Sequence, residues 1–405
     1  MILKKGMLAA ALALLFLIGL PVLTRSQEAA PAQVTVGVRV FNGNDFVPDL
    51  NLQDFELLEN GVPQQLVNLF QVDKSSVVRK DGPAEVLPDI SRKFYMLFQL
   101  FDYHPKLSEA IHRLFNEVLL PGDSLYIQTP MRNYTLSAIS FAQKPRDVLA
   151  KEMDEIVRRD ITQGGLLYKS LIKELRRFVA AIGGANSMAG NPEDSGDFAS
   201  EFGLEYNLTQ YRESLSKMEA LRYIDPNKIL GFANVLKSQP GQKFVFYVYQ
   251  REFRPELNSM TVNELVDANQ DNQNVISELH DLFQVYHRNV SLDPAKIVNA
   301  YADSGADFNF LFMNKTPETI TGVVMREQSE DMFKLFTQVA EATGGIVDSS
   351  QNPAAAVKDT TKASEKYYLL TYTPNPTAKD GSFKTISVKV KGKGYRVVSR
   401  AGYIN

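Results

Sequence analysis

The 405-residue chain has no cysteine and no tryptophan, and only four histidines. The missing cysteines exclude disulfides, zinc–thiolate and iron–sulfur centres and cysteine nucleophiles together. Four histidines leave a multi-histidine metal centre short of ligands. Neither sign of charge is in large excess. There are 44 Lys and Arg against 47 Asp and Glu, a net charge of −3. That is not the basic excess of a nucleic-acid protein, and no nucleic-acid partner is expected. Catalytic signatures are missing as well: no G-x-S-x-G elbow, no H-E-x-x-H, no phosphate-binding G-x-x-x-x-G-K-[ST] and no G-x-G-x-x-G after a strand. No catalytic residue, cofactor or enzymatic activity is assigned on these grounds.

Only one apolar run approaches the length of a membrane span. Residues 7–23 follow Lys4 and Lys5, are broken by Gly19 and Pro21, and lead to Thr24 and Ser26, the small residues that a signal peptidase requires. Residues 1–26 therefore read as a signal peptide, with an uncleaved anchor as the alternative. Their removal takes Lys4, Lys5 and Arg25 and no acid, leaving 41 bases against 47 acids, a net charge of −6. No membrane span is expected after cleavage. A cysteine-free exported chain suits a secreted or periplasmic place in a bacterial envelope.

What remains divides into β, α/β and β portions. Residues 33–72 form an amino-terminal β segment. Val34, Val36, Val38 and Val40 alternate with the period of a half-buried strand, and Asn60-Gly61 is a hairpin dipeptide. Residues 73–90 are polar, hold two prolines, and read as a linker. From 91 to 350 apolar strands (94–101, 124–129, 134–141, 243–249, 308–313) alternate with helical patterns (107–119, 145–159, 166–182, 208–237, 273–288, 293–303, 330–343). Such alternation predicts a parallel sheet with helices on both faces. Residues 183–204 and 251–272 read as long polar loops. Residues 366–405 form a carboxyl-terminal β segment expected to pack with the amino-terminal one.

Three stretches resemble the acidobacterial-type von Willebrand factor A (VWFA)-related domain proteins. They are VRVFNGNDFVPDLNLQDFELLENGVPQQL (38–66), EATGGIVDSS (341–350) and YYLLTYTPNPTAKDGSFKTISVKVKGKGYRVVSRAGY (367–403). The resemblance implies an α/β class: a doubly wound, mostly parallel A-like sheet inserted between the two segments of a small β-sandwich. It also implies a metal-ion-dependent adhesion site built from Asp-x-Ser-x-Ser, a Thr and a further Asp, whose oxygens suit Mg²⁺. Against that pattern the chain has Asp102, His104, Lys106, Gly165 and Gln250, with Lys169 in the loop where the family has Asp. One acid survives and a lysine enters, so no metal is expected, an ammonium beside a divalent cation being repulsive. Asp102 is expected to pair with Lys106 or cap the next helix. The spacing of the histidines, 104 and 112, 280 and 287, is not the i, i+4 spacing that places two imidazoles on one metal.

The expected function is an exported, non-enzymatic binding or scaffold protein of the cell envelope. It would contact an unknown protein partner without a metal through Asp102, His104, Lys106 and Gln250, brought together from separate loops. A metal-dependent adhesion module with an unorthodox cation site is the second reading, and a cryptic hydrolase the third.

Overall fold

The computed structural model describes residues 33–84, 86–184, 201–286, 292–317, 322–374, 380–392 and 394–405. The expected signal peptide, most of the 183–204 loop and His287 lie outside the described residues.

The first and last described segments pair with each other. Val34–Asn42 lies antiparallel between Lys366–Tyr372 and Arg396–Ser399, and Leu66–Asp73 and Ser76–Asp81 extend the sheet beyond Lys366–Tyr372. A second antiparallel sheet runs in the order Gly402–Ile404, Phe383–Val390, Phe55–Glu59, Val62–Gln64. Their inner faces share one core that includes Val36, Val38, Leu57, Tyr368, Leu370 and Val388. The turn at Asn60-Gly61 has φ of 50° and 79°, the left-handed pair that a two-residue hairpin requires. It brings buried Glu59 beneath Tyr372 and Tyr403, whose hydroxyls donate to its carboxylate at 2.6 and 3.0 Å. The expected linker is corrected here: Ser76–Asp81 within it is a strand, because Lys74 at φ 56° lets the chain turn straight back.

The middle of the chain builds a six-stranded sheet in the order Val347–Asp348, Asp307–Met313, Gln242–Gln250, Arg92–Gln99, Ser124–Gln128, Asn133–Leu136. Neighbours run parallel except at the last pair. Phe94, Met96, Phe98, Phe244 and Phe246 face the helices Pro105–Arg113, Arg146–Gly164 and Pro353–Ala363. Tyr95, Val245, Phe308, Phe310 and Phe312 face Pro226–Ser238, Pro294–Ser304 and Glu330–Thr343. Each fully buried large apolar side chain contributes roughly 1.5–3 kcal/mol.

The expected fold class, a doubly wound, mostly parallel A-type sheet inserted between the two segments of a small β-sandwich, is corrected by the strand pairing. The sheets are mixed: most strands among the described residues lie in antiparallel sheets, and the six-stranded sheet itself ends in an antiparallel pair. Short connections are the physical reason. The turns at 60–61 and 74–75 leave no room for the crossover that parallel pairing needs. The stretch 134–141, expected as a strand, is divided between the strand Asn133–Leu136 and the helix Ala138–Gln143.

A second correction concerns 251–272, expected as an exposed polar loop. Phe253–Leu257 is a strand with every residue buried, antiparallel to Val323–Glu327, and Ser259–Ala268 is a helix. Its charges are buried with partners. Arg254 pairs with Glu256, Arg222 with Glu252, and Arg326 reaches Glu256 at 2.8 Å. Tyr286 lies 3.8 Å under the Arg254 guanidinium. Polar residues that neutralise one another can be enclosed, so a polar composition did not mean an exposed loop. No helix among the described residues is long and apolar enough to cross a membrane.

Candidate functional site

The strand Arg92–Gln99 ends at the carboxyl edge of the six-stranded sheet, where the chain crosses to the helix Pro105–Arg113. Three of the residues singled out in the sequence meet there. Gln250 Oε1 accepts the backbone N–H groups of Phe101 and Asp102, each at 3.1 Å, and so ties two strand ends together. An amide oxygen does this without adding a second negative charge beside Asp102. Gly165 packs directly on the turn: a Cβ there would stand 2.0 Å from the Phe101 carbonyl oxygen, so no larger residue fits.

Asp102 is held between two ammonium groups, Lys169 Nζ at 2.6 Å and Lys315 Nζ. Burial acts to raise its pKa, but the hydrogen bonds and charges of the two lysines outweigh that and hold it below the ordinary carboxylate range. The expected pairing with Lys106 is corrected. Lys106 stands exposed in the first turn of the helix, and among the described residues its side chain forms no ion pair or hydrogen bond. His104, not Asp102, caps that helix, its Nδ1 accepting the Lys106 backbone N–H at 3.2 Å. His104 and Lys106 therefore serve the helix start rather than the Asp102 cluster.

The residues at this edge do not fit a divalent cation. The one carboxylate is engaged by two ammonium groups, Gln250 Oε1 by two backbone donors, and Gly165 offers no side-chain oxygen. Among the described residues no group of three or more His, Cys, Asp or Glu could hold a metal ion. What the edge does present is a mixed surface. Lys169 and Lys315 are 43% and 37% exposed, and Leu166 and Leu167, beside Gly165, are 61% and 56% exposed. Met131 is exposed too, its side chain within 3.7 Å of where a Cβ on Gly164 would lie.

Sequence reasoning did not find the opposite edge. At the amino ends of Gln242–Gln250 and Asp307–Met313, between that sheet and the Val34–Asn42 strand, lies a cavity of about 510 Å³. The three stretches that carried the family resemblance meet around it. Arg39, from the first, donates to both Asp307 carboxylate oxygens at 3.2 and 3.3 Å and to the Gly344 carbonyl at 2.5 Å. Gly344, from the second, takes φ 77°, and Gly345 lies so close that a Cβ would be 1.9 Å from the Phe308 carbonyl oxygen. Arg400, from the third, donates to the Asp303 and Thr35 carbonyls at 3.2 and 3.0 Å. The signal that could have located this edge was present: an Arg, a Gly-Gly pair and a second Arg in otherwise unrelated segments.

No family model matches the chain, and no curated protein does. Among solved structures it is similar to the human COPII-coat protein Sec24c, with a TM-score of 0.30 and 7% identity over 78% of this chain. The matched part is 44% of that protein. A likeness this weak does not bear on activity.

Proposed function

We propose that the chain is a non-enzymatic binding module that recognises an acidic group on a protein partner at the carboxyl edge of its six-stranded sheet, without a metal. One observation carries the reading: Asp102 sits between Lys169 and Lys315, two ammonium groups that remain more than a third exposed. Two positive charges against one negative leave the edge attractive to a further carboxylate, which can bridge the lysines as Asp102 does. Leu166, Leu167 and Met131 supply the apolar contact that interface centres use. Exposed charges of this kind favour fast, salt-sensitive association more than high affinity. The setting in which such a module works is the bacterial envelope expected from residues 1–26.

The test is fluorescence anisotropy with a labelled Asp-rich peptide and its Asn counterpart. The acidic peptide should bind at low salt, weaken severalfold at physiological salt, and lose binding to the Lys169→Ala/Lys315→Ala double variant. Added Mg²⁺ or Mn²⁺ should not strengthen it. Equal binding of the Asn peptide, or binding that requires either cation, would overturn the reading.

A further inference from the structure

The cavity at the amino edge differs from the carboxyl edge in the balance of its charges. Most of the charged groups lining it have a partner within the chain. Arg39 is taken by Asp307. Lys237 is taken by Asp303 at 2.6 Å. Asp89 accepts the Ser91 backbone N–H at 2.8 Å. Lys93, nearby, donates to Ser91 Oγ and the Pro240 carbonyl.

Two cations are left over. Lys243 is only 6% exposed, and its Nζ donates to the Gln239 carbonyl at 2.9 Å. Arg400 reaches two carbonyls, but its Nε is buried without a partner. Among the described residues neither forms an ion pair with a carboxylate. Asp307 and Asp303 act on Lys243 and Arg400 only from beyond ion-pair distance, and burying a charge without a close counter-charge is unfavourable unless something else supplies it.

The two heads converge. The position that a Cβ on Gly305 would take lies 3.6 Å from Arg400 Nη1 and 4.0 Å from Lys243 Nζ. Gly305, at φ 62°, thus keeps open the space both groups face. A buried acceptor without a partner, Gln242 Oε1, belongs to the same cavity. Val38, Tyr367 and Leu369 line another part of it. The volume is that of a small-molecule site, a few hundred cubic ångströms with an apolar wall and a few placed polar groups.

We propose that this cavity binds a small organic oxyanion, its carboxylate or phosphate head held by Lys243 and Arg400 beside Gly305 and its carbon skeleton against Tyr367 and Leu369. The ligand supplies a negative charge at ion-pair distance, which neither cation has within the fold, and its binding requires no rearrangement of the Arg39–Asp307 and Lys237–Asp303 pairs. The lowered pKa of Lys243, about 8, agrees with this geometry. Burial is its main cause, followed by Arg400 and Lys93, with Asp307 opposing. An anion at the proposed position would raise it again.

The experiment is thermal unfolding of the full chain with phenyl phosphate, benzoate and inorganic phosphate, each against sodium chloride at matched ionic strength. At least one of the organic anions should raise the midpoint by a few degrees, increasing with concentration as linkage requires. A rise with phenyl phosphate alone assigns the head as phosphate, and with benzoate alone as carboxylate. Inorganic phosphate should act more weakly than phenyl phosphate, because it leaves the apolar wall unused. Lys243→Met should abolish the rise while matching or exceeding wild-type stability in anion-free buffer, since it removes an uncompensated buried charge. The proposal is overturned if no anion exceeds the salt control, if Lys243→Met retains the rise, or if Lys243→Met is less stable than wild type without anion.

Discussion

The two edges of the six-stranded sheet treat charge in opposite ways. At the carboxyl edge one carboxylate is shared by two partly exposed lysines, so most of the interaction is already satisfied inside the chain. A partner's acid arriving there competes with Asp102 and with water, and gains little beyond steering. At the amino edge Asp303 and Asp307 are already paired, Lys243 is enclosed, and Arg400 is half-buried with its Nε covered. An anion entering there meets charges that water solvates poorly. Its attraction is therefore larger per contact. Exposed charge already shared with a carboxylate suits transient recognition of a surface, whereas buried charge without a close carboxylate suits capture of a small ligand.

A glycine secures each edge, and substituting these glycines should have the largest effect. Gly165 lies against the Phe101 carbonyl and Gly345 against the Phe308 carbonyl, with a Cβ placed at 2.0 and 1.9 Å respectively. Backbone atoms cannot yield as a flexible side chain can. Gly165→Ala and Gly345→Ala should each lose roughly 3–5 kcal/mol of stability, in the range reserved for forced backbone displacement. Urea unfolding measures this. Gly345→Ala should also disturb the Arg39 bond to Gly344, opening the cavity, while Gly165→Ala leaves the cavity intact. A loss below about 1 kcal/mol at either position would show that the close approach there is not a constraint.

The edges should also differ in the sign of their pH dependence. Asp102 has a depressed pKa in the folded chain. Its ionised form is favoured by folding, a contribution present above the unfolded value of about 3.9 and lost as pH falls through the folded one. Asp307 runs the other way. Burial raises its pKa despite Arg39, so folding disfavours its ionised form, and the penalty is relieved as pH falls. Relative to Asp102→Asn, wild type should lose stability as pH falls below the ordinary aspartate value; relative to Asp307→Asn, it should gain stability as pH falls toward that value from above. Urea midpoints across a pH series read both, and slopes of the same sign would remove the contrast between the edges.

Strand positions were the most legible part of the sequence. The Val34–Val40 alternation, the Asn60-Gly61 turn and the apolar runs at 94–101 and 243–249 each report a local property, and each lies on a strand or turn in the fold. The sheet balance was less legible, because partner choice depends on connection length more than on strand composition. Ser76–Asp81 and Phe253–Leu257 were hidden because their residues are polar, and only their partners across the fold explain their pairing or burial. At the carboxyl edge the sequence pointed to Asp102, Gly165 and Gln250, which do meet, and to His104 and Lys106, which serve the helix start. Lys315 lies over two hundred positions from Asp102, and no local pattern announces such a contact. The amino-edge cavity failed to show for the same reason, since its lining comes from both ends of the chain and the middle.

The smallest effect should separate the lysine beside Asp102 in sequence from those beside it in space. Lys106 is exposed and makes no side-chain ion pair among the described residues. An exposed charge of that kind contributes about 0–0.5 kcal/mol, so Lys106→Ala should leave stability within that range. It should also leave the titration of the Asp102 carboxyl, followed by carbon-detected NMR, where it is in wild type. Lys169→Met should do otherwise. Losing the partner at 2.6 Å removes a hydrogen bond and a positive charge from the carboxylate, which should raise its pKa toward the ordinary value while Lys315 prevents a full return. Lys315→Met should act in the same direction. If Lys106→Ala moves the Asp102 titration as far as Lys169→Met does, the first helix turn is part of the charge cluster. The carboxyl edge would then be a three-lysine site rather than a two-lysine clamp.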